Sequence, residues 1–248
     1  MSTLILALAA GAVIGLALGA LGGGGSVLAV PALIYLLGFT PAAATTASLI
    51  IVTATSATAL YAHATSGNVR WKTGALFAAV GIPPAIAAAA LASRVPEALL
   101  TAAFAAIALL AALALFKAPT PDRQPRAVRP ARAAGAGVGL GAVTGFLGVG
   151  GGFLAVPALV SVLGLRMRAA VGTSLLVINV NSLAALVARA GTHTPLNWAV
   201  IAPFTGAAIL GAWDGKRTAA RISGPALQRA FASILLAVAA LMVTDALH

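Results

Sequence analysis

Cysteine is missing from this chain altogether, and acidic residues nearly so: four Asp and Glu stand against fifteen Lys and Arg in 248 residues. The first absence excludes disulfides, thiolate metal sites and cysteine nucleophiles. The second leaves Glu97, Asp122, Asp214 and Asp245, none in the centre of an apolar run, so a buried carboxylate proton relay has no candidate. Charged residues of both signs make up only 8% of the chain and aromatics 5%. A sequence that is 61% hydrophobic, with a mean hydropathy of +1.06, lies outside the composition of water-soluble domains. The class that remains is an integral membrane protein. A net charge of +11 would suggest nucleic acid in a soluble protein. Here no basic face with interleaved aromatics is present, and basic residues of membrane proteins gather in cytoplasmic loops. No nucleic-acid partner is expected; the partner is the lipid bilayer.

Ten apolar segments follow from the hydropathy, near residues 3–21, 26–38, 43–62, 73–92, 97–116, 134–148, 152–164, 169–188, 197–213 and 226–244. A helix needs about 20 residues to cross a bilayer core. The segments starting at Ser26 and Gly152 are shorter and contain Pro31 and Pro157, which predicts half-helices or hairpin arms. The first segment lacks a basic leader and runs too long for a signal peptide, so it is expected to be retained.

Most of the first half is written again 126 residues later. Pro31 falls on Pro157, the glycines Gly22, Gly24 and Gly25 on Gly148, Gly150 and Gly151, Gly38 on Gly164, and Ser48 on Ser174. Thr53 and Thr55 fall on Asn179 and Asn181, so polar positions match polar positions. Three parts result: a first transmembrane repeat, 1–116, a Pro/Arg-rich linker, 117–133, and a second repeat, 134–248. Assigning loops alternately to the two faces puts all but Arg94 and Arg189 of the fifteen basic residues on the linker side, which predicts a cytoplasmic linker. Five segments per copy is an odd number, so the second copy enters from the opposite face. The expected architecture is an all-α polytopic membrane protein of two inverted repeats. Both termini would be non-cytoplasmic, and the glycine-rich hairpins would meet near the midplane.

That arrangement is the usual setting of a transporter substrate site. Bare backbone at membrane depth is tolerated where it is buried in protein or lines a wet cavity, and glycine lets amide groups approach a ligand. The free amides and positive dipole end of a helix starting at each turn suit an anion. The candidate substrate-binding residues are Gly22, Gly23, Gly24, Gly25 and Ser26 with Gly148, Gly150, Gly151 and Gly152. Ser48, Thr53, Ser174, Asn179 and Asn181 from the third segment of each copy would complete the shell. The bland alternative is close helix packing by small residues, with hydroxyls bonded to their own helix.

The phrases "GALGGGGSVLAVPALIYLLG" and "GFLGVGGGFLAVPALVSVLG", followed by "TTASLI" and "VGTSLL" and by "GNVRW", resemble the TauE/SafE family of membrane transporters. The resemblance covers nearly the whole chain except the linker. It implies a bacterial inner-membrane permease for small sulfur-containing anions, such as sulfite or sulfoacetate, working without ATP. No cofactor or metal is implied, and a homo-oligomer is compatible with it. The second copy departs from the pattern, with "THTPLNW" where the first has "SGNVRW".

His63 and Arg189 end the equivalent third segments and are expected either to snorkel to an interface or to attract anions at a mouth. Two rival functions are weighed. A passive anion channel would conduct without saturation. An intramembrane hydrolase could draw on Ser26 and His63 as nucleophile and base, but the second copy has Gly152 in place of Ser26.

Overall fold

The computed structural model describes residues 2–92, 95–117, 130–147, 152–188 and 196–246. Every element among them is helical: α1 Ser2–Leu21, α2 Gly24–Pro31, α3 Pro41–Ala64, α4 Trp71–Ala92, α5 Glu97–Lys117, α6 Pro130–Leu147, α7 Gly152–Pro157, α8 Met167–Ala188, α9 Trp198–Arg221 and α10 Gly224–Ala246. The ten helices fall on the ten apolar segments. Four contain windows long and apolar enough to cross a bilayer by length and composition: Thr3–Leu21, Ala42–Ala64, Met167–Val187 and Gly224–Leu241. Two boundaries move. α6 starts at Pro130, whose missing amide is harmless at a first helical position. α9 runs on to Arg221, carrying Lys216 and Arg217 within the helix rather than beyond it.

Both short helices are shaped by their prolines in the same way. After Pro31 the backbone widens into a π-helical turn, Ala32–Leu36, and after Pro157 into another, Ala158–Val162. A proline lacks the amide of the ordinary helical bond and crowds the carbonyl four residues back, which a wider turn relieves. Each turn then ends on a glycine in the left-handed region, Gly38 at φ 69° and Gly164 at φ 64°. Gly38 N–H donates to Ile34 O and Phe39 N–H to Leu33 O; Gly164 and Leu165 repeat this on Val160 O and Leu159 O. The 126-residue spacing is thus a repeat of local geometry as well as of letters.

The chain doubles back after α1. Gly22, at φ 77°, bonds its N–H to Leu18 O at 2.8 Å and turns the backbone away. α2 then returns along α1, so close that a β-carbon on Gly25 would stand 2.6 Å from Leu18 Cβ. Ala29, Ala32 and Leu33 share a buried core with Ala7, Ile14, Ala44 and Ala47. Residues 3–38 are therefore a hairpin and not one broken span. α3 starts on a Thr40 cap, whose Oγ1 accepts from Ala43 N–H at 3.4 Å, with Pro41 in the first helical position.

Long-range packing joins the first half to the second. α1 lies against α9 through a glycine seam: Gly11 meets Phe204, Gly15 meets Ala208 and Gly19 meets Ala212, while Gly211 and Gly215 meet Ala12 and Leu16. Both sets of numbers rise together, so α1 and α9 run parallel. α4 and α6 are likewise parallel, with Gly137 against Phe77 and Gly141 against Gly81. α3 and α8 cross antiparallel, Asn179 meeting Thr53 and Gly172 meeting Asn68. α5 and α10 bury Ala112 and Leu115 with Leu227 and Phe231.

Candidate functional site

The first glycine turn lies at the end of α1, a helix of 20 residues and so about 30 Å long by the usual rise. It is seated on Ser174, eight residues into α8, and the short helices that follow the two glycine stretches, α2 and α7, pack against one another, Leu28 joining the core that holds Leu154, Ala155 and Val156. Gly22 and Gly23 are buried. A β-carbon on Gly22 would stand 2.5 Å from Ser174 Oγ and 2.9 Å from Val171 O, so the turn is seated on α8 with no space for a side chain. The turn and Ser174 are thus brought together, as the sequence suggested, and the contact is close packing. Gly24 opens α2, and Gly25 is fixed against Ile14 and Leu18 of α1. Ser26 lies in the first turn of α2, and Gly152 begins α7. Gly148, Gly150 and Gly151 lie outside the described residues, as do Arg94 and Arg189.

At the middle of the bundle stands the α3–α8 crossing. Asn179 Nδ2 donates to Thr53 O at 2.9 Å and to Ser56 Oγ at 3.2 Å. Thr53 and Asn179 are matching positions of the duplication, so the two copies touch at the same point of each. Hydroxyls along α3 turn back onto their own helix: Ser48 on Thr45 O, Thr53 on Leu49 O, Thr55 on Ile51 O and Ser56 on Thr53 O. On α8, Ser174 does the same on Val171 O. Helix hydroxyls commonly do this when no better acceptor is at hand. The consequence is chemical: the protons of Ser48, Thr53, Ser174 and Asn179 all point to protein acceptors. Two unmatched polar atoms sit within one turn of Asn179, at Asn181 Oδ1 and Ser182 Oγ, both buried without a hydrogen-bond partner.

His63 departs from its expected place. It is 4% exposed, not snorkelling, and its Nε2–H donates to Gly19 O at 3.0 Å. The Gly19 carbonyl is in the last turn of α1, where acceptors outnumber helical donors, so the imidazole caps α1 just below the glycine turn. Thr173 Oγ1 accepts from Arg70 N–H at 3.0 Å, tying the α3–α4 turn to α8 at the same end. Basic side chains collect there too, with Arg70, Arg166, Arg168, Arg217 and Arg221 exposed. Arg168 donates to Ala220 O and Ile222 O and caps α9. Nothing in the apolar pattern singles out Lys216, because its segment was expected to end at residue 213. Only the extra turns of α9 carry it back alongside α1.

Apolar helices, four of them long enough to cross a bilayer, with halves joined through glycine seams and a polar crossing at the centre, define among the described residues a polytopic membrane protein. The family described as sulfite exporter TauE/SafE matches residues 7–242, and the chain belongs to that family. Relatives from two strains of Xylella fastidiosa, one of them Temecula1, are each 33% identical over 245 residues, covering 96% of this chain and 94% of the relative. Both carry the name "Probable membrane transporter protein".

Proposed function

We infer that the chain is a secondary transporter of small sulfur oxyanions, working by alternating access between two inverted repeats in a bacterial inner membrane. The observation that carries the reading is the contact of Thr53 with Asn179, positions 126 apart, at the centre of an antiparallel crossing. Equivalent positions of two copies touch one another where a twofold axis passes between them. The parallel course of α1 beside α9, and of α4 beside α6, supports an inverted relation, since a direct repeat of five crossings would set those pairs antiparallel. The linker and the basic end lie in the cytoplasm by the positive-inside rule, and both termini lie on the other side.

In this reading the anion travels along the α3–α8 seam, past the Gly22–Ser26 turn, and the matching glycines Gly148, Gly150, Gly151 and Gly152 of the second copy serve it as well. Ser48, Thr53, Ser174, Asn179 and Asn181 line its course. The hydroxyls and amide change partners from helix carbonyls to substrate as the halves rock. Flux in proteoliposomes tests this, with sulfite, thiosulfate, sulfoacetate, taurine, sulfate and chloride loaded in turn. Saturable movement of a sulfur oxyanion is the expected result. Linear, non-saturating flux would make the protein a channel, and no flux from folded protein would remove the assignment.

A further inference from the structure

His63 is the buried titratable group to which the transport reading gives no task. The bond from Nε2–H to Gly19 O places the ring's proton on Nε2 and leaves Nδ1 as an acceptor. That Nδ1 is buried and has no hydrogen-bond partner. An unmatched acceptor in a protein interior is a standing cost, and a ligand or partner that donates to it removes that cost.

A second unmatched group lies at the same level. Gly215 packs against Leu16 and Ala20 of α1, one residue either side of the stretch that holds Gly19. The next residue, Lys216, is half-buried, and α9 packs on α3 as well as on α1, so Lys216 stands on α9 at the level of the α1 turn that His63 bonds. Its acidic neighbour Asp214 is turned to Arg217, 3.5 Å away on the exposed face, and Lys216 makes no ion pair among the described residues. The elements packed around His63 add no acid. α1 has no charged residue, α3 has none besides His63, α8 carries only Arg168 at its exposed start, and the turn before α4 adds exposed Arg70.

The base of the glycine turn thus offers one acceptor nitrogen and one cation. A sulfonate, or any fully ionised oxyanion, pairs with the cation but leaves Nδ1 unmatched. An ammonium donates to Nδ1 but is repelled by Lys216. A singly protonated oxyanion satisfies both, its O–H donating to the nitrogen and its negative oxygen meeting the ammonium. We propose that His63 Nδ1 and Lys216 Nζ form a subsite beneath the Gly22 turn that takes an oxyanion in its singly protonated form, hydrogensulfite being the sulfur member of that class. The role in transport rests on the function inferred above; the binding does not. Nδ1 is closed off in this conformation, so the ligand reaches it when the turn moves off the α1–α3–α9 junction. The proton arrives and leaves on the substrate, and the protein needs no relay of its own.

The test uses the full chain in proteoliposomes, with uptake by protein-free liposomes subtracted. Sulfite uptake should follow the singly protonated fraction as pH is varied, and methanesulfonate should show a kcat/KM at least about tenfold lower. His63→Leu should lower kcat/KM for sulfite about tenfold or more. His63→Gln, whose amide supplies a donor and an acceptor, should restore most of it, and Lys216→Met should raise KM. Equal handling of sulfite and methanesulfonate, His63→Gln no better than His63→Leu, or wild-type sulfite kinetics in folded Lys216→Met would each overturn the proposal. If the wild-type protein moves no oxyanion, the transport assignment fails, and binding decides the subsite alone. Stabilisation in detergent by sodium hydrogensulfite over sodium methanesulfonate, lost in Lys216→Met, would support it; equal melting midpoints in the two salts would overturn it.

Discussion

The α1–α9 seam and the α3–α8 crossing join the same two halves of the molecule by opposite means. Along α1 and α9 the backbones approach until glycine is the residue that fits, at Gly11, Gly15, Gly19, Gly211 and Gly215. Between α3 and α8 the contact is made by a side-chain amide reaching a carbonyl and a hydroxyl of the facing helix. In lipid, apolar side chains gain little by leaving the solvent, so helices associate through close van der Waals packing or through hydrogen bonds. The first kind of interface is stiff, because sliding it would drive β-carbons and carbonyls together. The second can exchange partners, because a hydroxyl that bonds its own helix can rotate to another acceptor. A carrier needs both, a rigid seam to move as a body and an adaptable one to meet substrate.

The largest effect tests the rigid seam. Gly15→Leu would push a side chain into Ala208 and should cost on the order of 3 kcal/mol, read as loss of a monodisperse, cooperatively melting protein. Gly206→Leu on α9, where a β-carbon meets nothing, is the matched control and should be tolerated. Similar melting of the two variants would remove the seam. Next comes Gly22→Ala, which combines left-handed strain with the approach to Ser174 Oγ and should destabilise by about 2 kcal/mol. Ser174→Ala in the same chain should recover part of that loss in a double-mutant cycle, and additive effects would argue against the contact.

The adaptable interface should respond more gently. Asn179→Ala removes two interhelical bonds and is expected to cost about 1 kcal/mol in a denaturant titration. A loss as large as that of Gly15→Leu would mean that the crossing is as rigid as the seam. The smallest change belongs to Ser182, whose hydroxyl is buried at 1% exposure with no partner. Ser182→Ala should leave the melting midpoint unchanged or raise it, by up to about 1 kcal/mol of stability. A clear destabilisation would show that the hydroxyl has a partner, such as an internal water, that holds the fold together.

Much of this architecture was legible in the chain itself. The positions of the ten helices follow from apolar runs, and the paired π-turns follow from Pro31 with Gly38 and Pro157 with Gly164. The back-bonding of the α3 hydroxyls was one of two readings the residues allowed, and in this conformation Ser48, Thr53 and Thr55 all bond their own helix. The candidate site was legible only in part. Ser174 and Gly22 do meet, Asn179 does face the first copy, and the short helices α2 and α7 do touch, but the hydroxyl side chains are turned onto their own helices. His63 proved to be a cap for α1, and Lys216 came into view only because α9 overruns its apolar segment.

What the sequence determined by itself were features fixed within a few residues: where each helix starts, where a proline widens it, where a glycine ends it and that two halves do so alike. A cap or a turn has its cause close by in the chain, so its signature is written locally. Which helix lies against which was decided by tertiary structure alone. A helix that is apolar on every side carries no stripe to mark its buried face, and partners are selected by the fit of small residues and a few polar atoms brought together from more than a hundred positions apart.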